Sequence, residues 1–114
     1  MTLVAHPRRC PAWEVLEEAL TQRRSVRARY HGHDRIICPH LLGWRHGRIV
    51  ALVYQTEGSS SSGPIPADPR HRWRSLFLDE IEDATIADEQ WQTANNYNPD
   101  SDFFDSIILT VDLK

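Results

Sequence analysis

The chain has 114 residues, of which 40% are hydrophobic and 25% charged, and its formal net charge is -3 at pH 7. This length favours one domain with one core, and the composition is typical of a globular protein rather than of a disordered or fibrous one. The charge is uneven: residues 1–74 hold twelve Arg, no Lys and six acidic residues, hence +6, and residues 75–114 hold one Lys and ten acidic residues, hence -9. This pattern indicates either a polyanion-binding face that the acidic tail can shield, or two ordinary solvated faces.

The cysteines and the apolar runs indicate the setting of the protein. Cys10 and Cys38 have neither the spacing of metal ligands nor that of a redox pair. No secretory segment and no apolar run of about 18 residues is visible, so we expect a reduced, cytoplasmic setting and no membrane contact.

The first two predicted elements are an irregular arm and a helix. Residues 1–11 contain several Pro and Arg, which predicts the arm. Trp13, Leu16 and Leu20 recur at helical spacing, which predicts a helix over residues 12–22. The acidic residues come early in this segment and the basic ones late, an order that suits the helix dipole.

After the helix the hydrophobic period changes to two, which is typical of strands. The predicted strands are residues 26–30, 35–42, 48–55, 73–78 and 81–86, followed by a terminal strand with Ile107, Leu109, Val111 and Leu113 on one face. Pro39 requires that the second strand lie at an edge or contain a bulge. The third strand is apolar on both faces, so we place it centrally.

Residues 56–70 are rich in Gly, Ser and Pro and predict a long loop, either functional or flexible. One helix followed by five or six antiparallel strands predicts a mainly β (α+β) fold in the form of a small, strongly curved barrel.

The order of several segments resembles a known family. A strand that ends in Tyr30 is followed by Arg35-Ile36-Ile37-Cys38-Pro39-His40-Leu41-Leu42-Gly43, by the hairpin residues Gly47-Arg48, and by Arg74-Ser75-Leu76-Phe77-Leu78-Asp79-Glu80-Ile81. In this order they resemble the WYL family of small SH3-like or Sm-like β-barrels, found mostly in bacterial regulators. The resemblance implies an N-terminal helix and an antiparallel barrel over residues 12–90. The irregular arm over 1–11 and an acidic C-terminal extension with a terminal strand over 91–114 are predicted from the residues themselves and lie outside the resembling part.

The chain departs from the WYL pattern at two places. Ile49-Val50-Ala51 stands where the family has the Trp-Tyr-Leu tripeptide, and Glu80 stands where the family usually has Arg before Ile. The usual helix-turn-helix domain is also absent from the sequence. The resemblance therefore implies a freestanding barrel with a modified pocket and an altered ligand.

Arg74 is the first candidate for contact with an anion. Alternation along the strand predicts that it shares the inward face of Leu76 and Leu78, where an arginine needs a partner. That partner is either a bound anion, or the carboxylate of Asp79 or Glu80.

Further polar side chains lie near the predicted long loop. Gln55 can donate and accept together, which suits a nucleobase edge or an amide, or it anchors the loop. We expect Arg35 and His40 to converge on Gln55, although a buried His bonded to a backbone carbonyl is the commoner outcome. The predicted contacts are Arg35, Arg48 and Arg74 for phosphates; Gln55, His40, Ser60 and Ser61 for directional hydrogen bonds; and Tyr30 or Tyr54 for stacking.

These residues predict a binding protein rather than an enzyme. The sequence contains no nucleophile elbow, and His31 and His33 have no third metal ligand, so we expect no catalytic residue, no metal and no cofactor. The leading hypothesis is a bacterial domain for transcription regulation or phage defence, which senses an anionic ligand or binds single-stranded nucleic acid or a nucleotide. The alternative is an interaction module that dimerises or docks a partner through residues 103–113.

Overall fold

The protein is described by a computed structural model over residues 11–60, 63–99 and 102–111. Its elements in chain order are helix α1 (Pro11–Gln22) and strands β1 (Val26–Tyr30), β2 (His33–Arg45), β3 (Arg48–Ser60), β4 (Gly63–Pro64), β5 (Trp73–Phe77), β6 (Ile81–Ile86) and β7 (Ser106–Thr110), with 3-10 turns at Pro69–His71 and Leu78–Glu80. The predicted mainly β fold with one helix and an antiparallel sheet is confirmed. Residues 1–10 of the predicted arm and Leu113 of the predicted terminal strand lie outside the described residues.

Helix α1 covers one side of the core. Trp13, Leu16 and Leu20 are buried, as their spacing predicts. Strand β1 alternates buried and exposed side chains and turns Val26 and Ala28 towards the same core. Burial of this apolar face is the main force that holds the helix against the sheet.

The long antiparallel pair of β2 and β3 forms the centre of the sheet. The turn between them contains His46 and Gly47, whose φ angles are 50° and 80°. Positive φ at both central residues defines a type I′ turn, whose twist matches that of the strands. Strand β3 lies between β2 and β5, so the predicted central place of this strand is confirmed.

The predicted loop over residues 56–70 is wrong in its first part. Residues 56–60 continue β3, where Glu57 pairs with Ile36 and Gly58 with Arg35. A Cβ atom at Gly58 would collide with the carbonyl oxygen of Asp34, and its φ is +102°, so the close approach of these strands requires glycine. The pairing depends on backbone hydrogen bonds, which the serine-rich sequence does not signal.

Strand β2 changes its partner at Pro39. Its first half pairs with β1, and its second half pairs with β7 along the same edge. The register with β3 shifts between Pro39 and Leu41, so the bulge that the proline allows is confirmed.

The sheet is open at its ends in the described residues. The strand order is β4-β3-β2-β1-β6, with β5 on the outer edge of β3 and β7 on β2. No pairing among the described residues joins β5 to β6, so the predicted closed barrel is not established. No helix in the described ranges is long and apolar enough to cross a lipid bilayer.

Candidate functional site

Successive residues at the end of β3 face opposite sides of the sheet and divide the predicted contacts into two groups. Val53 pairs with Arg74, and Tyr54 pairs with Trp73, so the side chains of each pair share one face. The arginine cluster, on the inner face, consists of Tyr30, Arg35, Gln55 and Arg74. The aromatic cluster, on the outer face, consists of His40, Tyr54, Trp73, Trp91 and Tyr97.

Arg35 is the most deeply buried cation of the arginine cluster. Its exposed fraction is 5%, and that of Gln55 is 1%. Arg35 Nη1 donates to Gln55 Oε1 at 3.4 Å, and Nη2 donates to the Tyr30 carbonyl at 3.3 Å. Its guanidinium carbon lies 5.1 Å from the centre of the Tyr30 ring. The buried Nε has no hydrogen-bond partner among the described residues.

Arg74 brings a second positive charge to this cluster. It is half-buried, and its Nη1 donates to the carbonyls of His71 at 3.0 Å and Trp73 at 2.8 Å. The salt bridge from Arg74 to Asp79 or Glu80, which the sequence left open, is not formed among the described side chains.

The arginine cluster therefore has two cations and no anion. Within the described residues no carboxylate forms a salt bridge with Arg35 or Arg74. Burial, and then the positive charge of Arg74, lower the pKa of Arg35. Both effects oppose the charged form, so a nearby negative charge would stabilise it.

Arg48 is paired elsewhere. Its Nη2 donates to Asp79 Oδ1 at 2.6 Å and to Glu80 Oε2 at 2.8 Å. Its guanidinium carbon also lies 3.7 Å from the centre of the Phe77 ring. The hydrogen bonds to both carboxylates raise the pKa of Arg48. The structure does not bring this arginine into the arginine cluster, and its predicted phosphate contact stays a prediction.

Tyr30 connects the arginine cluster to the Arg48 ion pairs. Its hydroxyl accepts a hydrogen bond from the Phe77 amide at 3.0 Å and lies 3.5 Å from Glu80 Oε1. Burial raises the pKa of this phenol. The hydroxyl is thus occupied at the 3-10 turn, while one face of the ring packs near Arg35.

His40 is the centre of the aromatic cluster. It is fully buried, its ring stacks on Trp91 at 4.5 Å, and Trp73 meets it edge-on at 4.6 Å. Its Nδ1 lies 2.8 Å from the Cys38 carbonyl, which can only accept, so Nδ1 carries the proton. Its Nε2 then accepts from the Thr93 hydroxyl at 2.8 Å. Burial lowers the pKa of His40 to about 4.

The expected convergence of Arg35 and His40 is wrong. Arg35 pairs with the core residue Ala28 on the inner face of the sheet, whereas His40 packs against Trp73 and Trp91 on the outer face. The commoner outcome, a buried His bonded to a backbone carbonyl, is what the structure contains.

The sequence did not single out Trp91 or Tyr97. Both lie in an irregular segment without periodicity. This segment is tied to β5, because Asn96 Oδ1 accepts from Trp73 Nε1 at 2.8 Å. It is also tied to the 3-10 turn before β5, because Asn96 Nδ2 donates to the Arg70 carbonyl at 3.0 Å. The one signal in the sequence that could have pointed to Trp91 and Tyr97 was that both side chains are aromatic.

Of the two predicted loop serines, only Ser60 lies in the described residues. Ser60 is the last residue of β3, is buried and pairs with Gly63 in β4, and Ser61 lies outside the described residues. Among the residues that are described, no three His, Cys, Asp or Glu side chains form a group suited to a metal ion.

Comparison of the chain with protein-family models, with curated proteins and with solved structures finds no match. The resemblance to the WYL family therefore stays a prediction.

Proposed function

We propose that this protein is a ligand-binding regulatory domain whose arginine cluster binds an anion. The observation that carries the proposal is the burial of an unpaired charge: Arg35 is 5% exposed and has no carboxylate partner in the described part of the chain. A buried cation without a counter-charge destabilises the fold, and an incoming anion removes that penalty. The bonds it gains are charge-assisted and roughly twice as strong as neutral ones.

The proposed ligand is a single-stranded nucleic acid or a nucleotide-like anion. Arg35 and Arg74 contact phosphate oxygens, and Gln55 supplies an amide that both donates and accepts. The proposal assigns no catalytic step and no cofactor.

The proposed fold is a small SH3-like or Sm-like barrel of the WYL kind, acting in bacterial transcription regulation or phage defence. Two features support it. Strand β1 pairs with both β2 and β6, so that β6 lies beside the first strand of the sheet. The 3-10 turn Leu78–Glu80 connects β5 to β6 and lets the chain bend sharply between them.

The test is fluorescence anisotropy with labelled single-stranded DNA and RNA oligomers, and with unlabelled nucleotides as competitors. We expect binding that Arg35→Met or Arg74→Ala weakens at least about tenfold, since a charged hydrogen bond contributes roughly 1.5–3 kcal/mol. Arg27→Gln is the matched control, because Arg27 is exposed on β1 and its loss changes the net charge equally.

Salt provides a second criterion for the oligomers. If phosphate contacts dominate, log K falls with log salt by about 0.7 for each phosphate neutralised on a single strand. Absence of binding to every oligomer and nucleotide, or equal affinities of wild type and both cluster variants, would contradict the proposal.

A second candidate function is docking of a partner strand on β7. Ile107 in this strand is 44% exposed, the largest exposure of a big hydrophobic side chain in the described residues. Strand β7 pairs with β2 along one edge, and its other edge has no partner strand among the described residues. An unpaired apolar edge strand is a site for strand addition.

Sedimentation velocity over a range of concentrations tests this second function. We expect wild type to form a dimer that Ile107→Glu disrupts, whereas Gln22→Glu, which adds the same charge on α1, leaves the dimer intact. A wild type that stays monomeric at all concentrations would rule out the homodimer.

A further inference from the structure

The charge of the arginine cluster restricts the kind of anion that suits it. Arg35 and Arg74 bring two positive charges, and no carboxylate among the described residues offsets either one. A phosphodiester inside a polymer carries one negative charge, whereas a phosphomonoester carries roughly -1.5 to -2 near neutral pH. A monoester therefore neutralises the cluster more fully.

Access to the arginine cluster also favours the end of a ligand. Tyr30, Arg35 and Gln55 are almost completely buried, and Arg74 is half-buried, so Arg74 is the member of the cluster that solvent contacts most. A terminal phosphate can enter past Arg74 with its ester group pointing outward. An internal phosphodiester is substituted on two sides, so its chain keeps it at the surface.

The hydrogen bonds of Arg35 are weak enough to be exchanged. The distances of 3.4 Å to Gln55 and 3.3 Å to the Tyr30 carbonyl exceed the usual length of about 2.9 Å for N–H···O bonds. Its buried Nε donates to nothing among the described residues. A phosphomonoester has three terminal oxygens that accept such bonds, and a phosphodiester has fewer.

We propose that the arginine cluster selects phosphomonoesters, such as a terminal 5′-phosphate or a free nucleotide, over phosphodiesters. This inference rests on the proposed function, because it specifies which anion the same site binds. It makes the end of a nucleic acid, rather than its length or internal sequence, the recognised feature.

Calorimetric titration with methyl phosphate and dimethyl phosphate is the first test. We expect methyl phosphate to bind at least about tenfold more tightly, a difference of about 1.4 kcal/mol. Its affinity should fall as the pH is lowered through its own second pKa near 6. Equal affinities, or tighter binding of dimethyl phosphate, would overturn the inference.

Arg74→Gln keeps this test informative if Arg35→Met does not fold. The substitution removes one charge at a half-buried position, and it should reduce the preference for methyl phosphate to near parity. Arg27→Gln should retain the full preference. A preference that survives in Arg74→Gln would show that the cluster is not its source.

Oligonucleotides separate this inference from the function on which it rests. We expect a 5′-phosphorylated single strand and a nucleoside monophosphate to bind, and the same strand with a 5′-hydroxyl to bind at least about tenfold less. If both strands bind equally and Arg35→Met or Arg74→Gln abolishes binding, the anion site stands and the monoester selectivity is wrong. If no phosphate compound binds, both proposals fail.

Discussion

Protonation of His40 should destabilise the fold as the pH falls below neutrality. The side chain is fully buried against Trp73 and Trp91, and its Nε2 accepts a hydrogen bond from Thr93. A proton on Nε2 would remove that acceptor and bury a charge that has no counter-ion in the described part of the chain. The pKa of His40 accordingly lies at about 4 instead of the ordinary 6.5.

The sign and size of the effect follow from linkage. Because the folded pKa is the lower one, the unfolded chain binds the proton first as the pH falls. The contribution of neutral His40 is fully present above about pH 6.5 and is lost progressively towards about pH 4. Each pH unit changes the free energy of unfolding by ~1.4 kcal/mol, so the total loss is on the order of 3 kcal/mol.

Urea unfolding followed by tryptophan fluorescence, at several pH values between about 7 and 5, measures this effect. We expect the free energy of unfolding to fall by about 2 kcal/mol between pH 6.5 and 5. This window lies above the ordinary pKa values of Glu80 and Asp68, whose lowered pKa values reduce stability only in stronger acid.

Two variants identify the titrating group. His40→Phe keeps an aromatic ring but removes the hydrogen bonds to the Cys38 carbonyl and the Thr93 hydroxyl, so we expect lower stability at neutral pH by ~1–3 kcal/mol and a flat pH dependence. His46→Asn removes an exposed histidine from a left-handed turn position that Asn tolerates, and should keep the wild-type slope. A flat wild-type profile, or an unchanged slope in His40→Phe, would refute the reasoning.

Three further substitutions test the packing. Gly43→Ala places a Cβ atom 2.6 Å from Phe104 Cδ1 and 2.8 Å from the Ser106 carbonyl, so we expect a loss of ~1–3 kcal/mol and faster hydrogen exchange of the β7 amides; wild-type exchange rates would contradict this. Arg35→Met replaces an uncompensated buried cation, so urea unfolding should give a stability within about 1 kcal/mol of wild type; a loss of several kcal/mol would mean that the cation stabilises the fold. Trp73→Phe removes the indole donor to Asn96 and should lower the free energy of unfolding by ~1 kcal/mol. An unchanged free energy of unfolding would show that this hydrogen bond does not stabilise the fold.

The sequence predicts the elements well where one face is buried. Leu16 and Leu20 give the helix its period, and Val26, Ala28 and Tyr30 give β1 its alternation. The continuation of β3 to Ser60 has no such signal, because its pairing with Arg35 and Ile36 is made by the backbone.

The candidate site is only partly visible in the sequence. Alternation correctly places Arg74 on the face of Leu76, since Arg74 pairs with the buried Val53. The same alternation places Arg35 and His40 on opposite faces, because they are an odd number of residues apart. The sequence therefore already argued against the predicted convergence of these two side chains on Gln55. The sequence does not reveal that Arg35 and Arg74 lack a carboxylate partner among the described residues. Such pairing depends on tertiary contacts, which leave no local pattern in the sequence.

Arginine side-chain NMR during a titration with inorganic phosphate tests the central claim most directly. The Nε–H resonance of Arg35, identified by its absence in Arg35→Met, reports the buried donor that has no partner among the described residues. We predict that this resonance and that of Arg74 shift and saturate together, while that of Arg27 does not move. An Arg35 resonance that stays unchanged at high phosphate, while exposed arginines shift without saturation, would contradict an anion site in the arginine cluster.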